Sequence, residues 1–71
     1  MNVQQDALAV VRLMSQGRRF EDALRSTCPP YLGKRYRDKV KSHMFSEGYI
    51  ELDRSSMYWG VTGKGLEDAG L

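Results

Sequence analysis

The sequence predicts an α+β fold of three helices, a two-stranded β-hairpin and a short C-terminal helix. Apolar residues recur at helical spacing over residues 3–46 and alternate with polar ones over residues 49–61. The length of 71 residues suits one small domain with a single core. Because no repeat, low-complexity segment or linker interrupts the chain, residues 1–71 are expected to form one domain.

The first predicted helix runs from about Val3 to Gln16. Asn2, with Gln5 three residues later, resembles a capping box, in which the first side chain accepts a hydrogen bond from a free backbone amide. Gly17 follows where a helix usually ends in a left-handed cap. Five apolar residues then share one face of the helix: Val3, Ala7, Val10, Val11 and Met14.

The second predicted helix is shorter and carries the apolar stripe Phe20, Ala23 and Leu24. Glu21 and Asp22 lie in its first turn, where the helix dipole favours acidic side chains. Pro29 and Pro30 must end it, since proline lacks the amide hydrogen that a helix needs. The chain is therefore expected to turn before Tyr31.

The third predicted helix runs from about Leu32 or Gly33 to Ser46, and Gly48 closes it. Its core positions recur every fourth residue: Tyr36, Val40 and Met44. Arg37 lies at the boundary of that stripe. The remaining side chains are predicted to point away from the core: Lys34, Arg35, Asp38, Lys41, Ser42 and Phe45.

Two alternating segments, Tyr49–Asp53 and Met57–Val61, predict the hairpin. In the first segment Ile50 and Leu52 are expected to face the core, with Tyr49, Glu51 and Asp53 facing outward. In the second, the core-facing residues are expected to be Met57, Trp59 and Val61. Thr62 can cap a final short helix, in which glycines at 63, 65 and 70 would each cost up to about 1 kcal/mol relative to alanine.

Positive charge is concentrated in one part of the sequence. Residues 1–46 carry nine Lys or Arg and four Asp or Glu, whereas residues 47–71 carry two and five, for a net charge of +2. Five cations fall within the eight positions 34–41: Lys34, Arg35, Arg37, Lys39 and Lys41. The pattern indicates one basic face, typical either of a solvated helix or of a phosphate-binding surface.

Several classes of function lack support in the sequence. The single Cys28 and the single His43 cannot form an internal disulfide or a Cys/His zinc site, and both are predicted to be packing residues; no metal or other cofactor is expected. No nucleophile elbow or phosphate-binding loop is present, so the protein is not expected to be an enzyme. Without a membrane-spanning run or a signal peptide, a cytoplasmic protein is expected.

Two motifs resemble the winged helix-turn-helix proteins, in particular bacterial regulators of the MarR and PadR type. VKSHMFSEGYI, residues 40–50, is similar to the end of their recognition helix and the start of their wing. WGVTGKG, residues 59–65, is similar to the segment that ends the wing and begins the last helix. The resemblance covers nearly the whole chain and depends on the spacing of the two motifs.

The resemblance implies a DNA-binding protein, most simply a transcriptional regulator, that inserts the helix of residues 33–46 into the major groove of double-stranded DNA. Lys34, Arg35 and Arg37 would approach bases or phosphates. Lys41 and Ser42 would lie near the DNA backbone, and Arg54 at the wing tip would approach an adjacent groove. The small size suggests a phage or mobile element as the source.

The sequence departs from that family in three respects. The turn TCPPYLG is longer than usual, and Glu51 and Asp53 would repel phosphate if they faced it. No counterpart of the long dimerisation helices is predicted, so the protein is expected to act as a monomer, a weak homodimer or beside a protein partner. The alternative function is a winged-helix module for protein contact, without DNA binding. Pairing of the cations with Glu21, Asp22 or Asp38, together with an exposed apolar patch, would favour that alternative.

Overall fold

The computed structural model describes residues 2–71 and has an α+β architecture with the predicted order of elements. The helices are α1 (Val3–Ser15), α2 (Phe20–Thr27), α3 (Lys34–Ser46) and α4 (Gly63–Asp68). The strands are β1 (Ile50–Asp53) and β2 (Tyr58–Val61), which pair antiparallel. A 3-10 turn at Pro30–Leu32, which the sequence did not predict, lies between α2 and α3.

Side-chain caps fix the start of the first and last helices, as predicted. Asn2 Oδ1 accepts a hydrogen bond from the Gln5 amide at 3.1 Å, and Thr62 Oγ1 accepts one from the Gly65 amide at 3.1 Å. The Thr62 hydroxyl also donates to the Gly48 carbonyl at 2.5 Å. Thr62 therefore ties the end of the hairpin to the chain that enters it, and so fixes where α4 begins.

The 3-10 turn sets the direction in which α3 leaves α2. The Leu32 amide donates to the Pro29 carbonyl and the Gly33 amide to the Pro30 carbonyl, both at 3.0 Å. Gly33 then takes φ 88°, which glycine adopts without steric cost, and α3 begins at the next residue. Tyr31 lies on the outside of this turn and is 84% exposed. The two prolines thus end α2 and position the basic start of α3.

One hydrophobic core joins the three long helices to the base of the hairpin. The apolar stripes predicted on α1, α2 and α3 are confirmed, and Val40 is fully buried at the centre of the α3 stripe. The buried residues are Ala7, Leu8, Val10, Val11, Met14, Phe20, Ala23, Leu24, Cys28, Tyr36, Val40, Met44, Tyr49, Ile50 and Ala69. The face of α3 that carries most of its charge is thereby turned outward.

The hairpin differs from the prediction at both of its ends. Tyr49, expected to face outward, precedes β1 and is 1% exposed, because its ring lies 6.2 Å from that of His43 on α3 and its hydroxyl accepts a hydrogen bond from Gln4 Nε2 on α1 at 2.9 Å. Met57, expected in the core, belongs to the turn instead. It has φ 61° and is 67% exposed. The register pairs Asp53 with Tyr58, so the turn takes up Arg54 to Met57 and moves Met57 off the strand.

Gly65, which appeared in the sequence only as a weak point of the last helix, has a packing role. It is buried in α4, and a Cβ atom at this position would lie 2.7 Å from the Tyr49 carbonyl oxygen and 3.0 Å from a Val61 methyl group. The backbone of α4 can approach the entry of the hairpin this closely only because residue 65 has no side chain.

Replacing this glycine should destabilise the protein. We expect Gly65→Ala to lower the free energy of unfolding by about 1–2 kcal/mol, because overpacking costs about 1–3 kcal/mol and exceeds the gain in helix propensity. Gly63→Ala is the matched control, since nothing lies within 4 Å of its Cβ position. Urea unfolding of both variants checks this. A Gly65→Ala variant as stable as the unaltered protein would contradict the packing role.

Candidate nucleic-acid interface

The first turn of α3 presents two of the predicted cations directly to solvent. Lys34 and Arg35 are exposed, and Ser42 is exposed two turns further along the same helix. Within residues 2–71, neither Lys34 nor Arg35 has a carboxylate oxygen within 4.0 Å. The start of α3 therefore offers two exposed cations that form no ion pair.

Lys41 is partly neutralised, in contrast to those two residues. Its Nζ lies 3.4 Å from a Glu21 carboxylate oxygen and 5.7 Å from the centre of the Phe20 ring, both on α2. The Lys41 and Glu21 side chains are 37% and 60% exposed, so the ion pair contributes at most about 1 kcal/mol. Pairing of the α3 cations with Glu21, Asp22 or Asp38 would favour a protein-contact function. Glu21 forms such an ion pair, with Lys41.

Arg37 lies on the side of α3 that faces α2, and not on the most exposed side of the helix. It is half-buried, and it lines a hollow of about 210 Å³ between the two helices. The hollow is surrounded by four cations and two acids from α2 and α3: Arg25, Lys34, Arg37, Lys41, Glu21 and Asp38. Among the described residues, Arg37 has no carboxylate within 4.0 Å. An anion that entered this hollow would meet an excess of positive charge.

The other side of α3 forms a second, shallower basic surface. Arg35, Lys39 and Ser42 line it together with Asp38, His43 and Val3 at the start of α1. Asp38 lines both hollows, so it lies between the two groups of cations on the exposed side of α3. A ligand that covers this face must accommodate one carboxylate at its centre.

Arg54 lies apart from the other predicted residues. It is exposed in the hairpin turn, where Glu51 and Asp53 are also exposed. The Ser55 hydroxyl and amide donate to Asp53 Oδ1 at 2.7 Å and 2.9 Å, and these bonds hold the pKa of that carboxyl below its usual value. The hairpin therefore carries persistent negative charge. The structure brings together Lys34, Arg35, Arg37, Lys41 and Ser42 on α3, but not Arg54.

Sequence reasoning missed the cations that α2 adds to this surface. Arg18 and Arg19 precede α2, and Arg25 lies in its last turn. All three are exposed, and none has a carboxylate within 4.0 Å among residues 2–71. The signal was present, because the apolar stripe of α2 leaves residue 25 on the outer side of the helix.

The excess of cations is confined to a narrower part of the chain than the division at residue 46 indicated. Residues 18–41, which contain α2 and the first part of α3, carry eight cations and three acids. The rest of the chain carries three cations and six acids. The basic surface is thus built by two adjacent helices, while α4 and the hairpin each carry one more acid than cation and α1 carries one of each. Such a separation favours one polyanionic ligand on one side of the molecule.

Lys64, in contrast to the cations at the start of α3, has a structural role. Lys64 Nζ donates to the Glu47 carbonyl at 2.7 Å and to Glu47 Oε2 at 2.8 Å, and it lies 3.9 Å from Asp68. This contact raises the pKa of Lys64 and lowers the pKa of Glu47. Lys64 joins the end of α3 to α4. Lys34, Arg35 and Arg37 make no comparable contact among the described residues.

The titratable residues inside the protein have structural partners. The Tyr36 hydroxyl donates to Asp6 Oδ2, and burial together with this bond raises the pKa of Tyr36 to about 12. His43 is half-buried, as predicted, with Nε2 next to Gln4 Oε1. Cys28 is buried as predicted, and burial raises the pKa of its thiol. Among residues 2–71, no group of three or more His, Cys, Asp or Glu is placed to hold a metal ion.

An exposed apolar surface lies at the N-terminal end of α2, beside the hairpin. Phe45 is 42% exposed, and its ring lies 5.1 Å from that of Trp59 and 6.3 Å from that of Phe20. Met57 and Tyr58 extend this surface along the hairpin. We call Phe45, Met57, Tyr58 and Trp59 the hairpin patch. Phe45, predicted to point away from the core, thus makes aromatic contacts at the edge of the core.

Comparison with protein-family models, curated proteins and solved structures finds no match for this chain. None of the described helices has both the length and the apolar character that crossing a membrane requires. Inference about function therefore depends on the chemistry and the geometry of the surfaces described above.

Proposed function

We propose that the protein is a small winged helix-turn-helix DNA-binding protein, most simply a transcriptional regulator. In this assignment α2, the 3-10 turn and α3 form the helix-turn-helix, and β1 and β2 form the wing. The order of elements and the capping role of Thr62, which lies in the second of the two family-like motifs, support the assignment.

In the proposed complex, α3 enters the major groove of duplex DNA with its first turn foremost. Lys34 and Arg35 lie at that leading end, where an arginine can donate two hydrogen bonds to the O6 and N7 of guanine. Cations on both sides of the helix would neutralise backbone phosphates and release counterions. Ser42 adds a neutral hydrogen-bonding group further along α3, close to where the DNA backbone would pass.

The observation that carries the proposal is the lack of acidic partners at the start of α3. Lys34, Arg35 and Arg37 have no carboxylate within 4.0 Å in the described part of the chain, and only Lys41 has one, Glu21. A helix face that was merely solvated would place acids among its cations to limit self-repulsion. Asp38 alone does so on the outer face of α3.

Recovery of bound fragments from a random pool of duplex DNA tests the proposal. Enrichment of a common motif is the expected result, since an arginine at the leading end of α3 can discriminate between bases. Uniform recovery would support duplex binding without a preferred operator. No recovery at low salt, where phosphate contacts are strongest, would contradict the proposal.

The hairpin patch supports a second candidate, a winged-helix module for protein contact. Met57 and Tyr58 are 67% and 56% exposed, although aromatic and long apolar side chains usually lie inside a small domain or at its interfaces. In the same pool experiment, this candidate alone predicts that no DNA is recovered. A protein partner or a weak homodimer would then occupy the patch.

A further inference from the structure

The outer edge of β2 carries backbone groups that no other segment pairs with. The Thr62 amide donates to the Tyr49 carbonyl at 2.9 Å, so these two residues form a hydrogen-bonded pair of the antiparallel hairpin. Hydrogen-bonded and non-bonded pairs alternate along such a ladder, and Trp59 and Val61 belong to the non-bonded pairs. Their amides and carbonyls therefore point away from β1. Among residues 2–71, these groups have no backbone hydrogen bond to another segment.

A hollow lies next to this edge, between β2 and the N-terminal end of α2. Its volume is about 340 Å³, and it is lined by residues 19–22 and residues 57–59 but by no residue of β1. The rings of Trp59 and Phe20 lie 6.1 Å apart and give the hollow an apolar lining. Neighbouring strands of a sheet lie about 4.8 Å apart, and an exposed edge is a template for a further strand. The hollow is therefore where a strand added to β2 would lie.

The outward side of the hairpin offers acids to such a strand. Glu51 and Asp53 are exposed on β1, and neither has a Lys or Arg nitrogen within 4.0 Å in the described part of the chain. Glu51 is paired with Gly60, and nothing lies within 4 Å of the Gly60 Cβ position. Because Gly60 has no side chain, the Glu51 carboxylate can extend across β2 toward its outer edge.

We propose that the outer edge of β2 binds an extended, cationic segment of another protein as a third strand of the sheet. The backbone of this segment pairs with Trp59 and Val61, as when a peptide extends an exposed sheet edge. Its side chains alternate, so that a Lys or Arg opposite Gly60 meets Glu51 while the neighbouring apolar residues pack beside Trp59. The proposal does not depend on DNA binding by α3. It gives the protein-contact candidate a partner of defined chemistry.

Charge disfavours a second copy of this chain as the source of the added strand. β2 (Tyr58–Val61) contains no cation, and β1 contains Glu51 and Asp53. Neither strand of a second hairpin could supply the cation that Glu51 lacks. Pairing through β1 would in addition bring like charges together, which destabilises a sheet.

Selection of random ten-residue peptides on the full chain tests the proposal. Enriched peptides are expected to alternate Lys or Arg with apolar residues. The peptide enriched most is then synthesised and added to the ¹⁵N-labelled protein at saturating concentration. Hydrogen exchange at the Trp59 and Val61 amides should slow, because these amides would become hydrogen-bonded to the peptide.

Methylation of the peptide backbone identifies pairing along one edge. Successive amides of a strand point to opposite edges, so methyl groups on alternate residues block pairing with β2 in one of the two possible sets. One methylated set should weaken binding about tenfold or more, and the other should bind like the unmethylated peptide. Equal affinity of both sets would contradict strand addition.

Charge reversal at Glu51 tests the chemistry of the partner. Glu51→Lys should weaken binding of the selected peptide about tenfold, because an attraction is replaced by a repulsion. Glu67→Lys is the matched control. Glu67 is exposed on α4, also without a Lys or Arg nitrogen within 4.0 Å among residues 2–71, and its reversal should change the affinity less than twofold.

Several results would overturn the proposal. They are the absence of enriched peptides, enriched peptides that leave exchange at Trp59 and Val61 unchanged, and equal effects of the two charge reversals. Protection of the same amides that grows with protein concentration, without any peptide, would show that a second copy occupies the edge. None of these results bears on duplex binding, which the DNA pool tests separately.

Discussion

Val40→Asp should leave the protein unfolded at room temperature. Val40 is fully buried in the α3 stripe, where it packs against the core formed with α1 and α2. A buried carboxylate without a partner costs several kcal/mol, and a domain of this size has a total stability of only about 5 kcal/mol. Circular dichroism should therefore show loss of helix and no cooperative melting.

The control for this experiment places the same side chain two residues further along α3. Ser42 is exposed, so Ser42→Asp should melt within a few degrees of the unaltered protein. A Val40→Asp variant that stayed soluble and melted cooperatively would mean that α3 faces the other way. The basic face would then be turned inward, and the proposed interface would fall with it.

Lys34→Glu combined with Arg35→Glu should abolish duplex binding while the protein stays folded. The change removes two contacts at the leading end of α3, each worth about 1–3 kcal/mol, and adds like-charge repulsion from phosphate. Affinity should drop by at least about thirtyfold. Titration of a labelled duplex at low salt measures the loss.

The same variant should be at least as stable as the unaltered protein, although its binding is lost. The first turn of α3 contains no acidic residue, and an acid there gains about 0.3–1 kcal/mol from the helix dipole. The melting temperature should therefore stay level or rise. Neutral replacements, Lys34→Gln with Arg35→Gln, should give an intermediate loss of binding. Unchanged affinity in the charge-reversed variant would show that α3 does not lead into the groove.

Arg37 is less suitable for such a test, although the resemblance gave it the same role as Arg35. It is half-buried between α2 and α3, and its charge offsets part of the rise that burial causes in the pKa of the Cys28 thiol. Reversing Arg37 would place a carboxylate near Glu21 and Asp38 in the same hollow. Loss of binding could then arise from altered packing.

Local sequence rules predicted most of the fold because helical stripes and caps depend on nearby residues. The caps at Asn2 and Thr62 and the core position of Val40 are all short-range patterns. The errors occurred where distant segments meet. Tyr49 is buried because its side chain reaches α1 and α3, and Gly65 is required because α4 approaches the Tyr49 backbone. Neither fact can be read from alternation along one strand.

The candidate site was predictable in part, for the same reason. The cations of α3 are close in sequence and lie on one helix, so they were found together. Arg25 belongs to the surface only because α2 packs beside α3, which periodicity does not reveal. Arg54 was assigned to an adjacent groove by resemblance to a wing, and the structure adds that the exposed Asp53 precedes it in the hairpin.

The most direct test of the central claim is an NMR titration of the ¹⁵N-labelled protein with a short DNA duplex at low salt. The account predicts that the amide signals shifting most are those of residues 34–42 on α3. The signals of α4 and the hairpin patch should stay in place. Shifts confined to the hairpin patch, or no shifts at all, would contradict the claim that the outer face of α3 binds DNA.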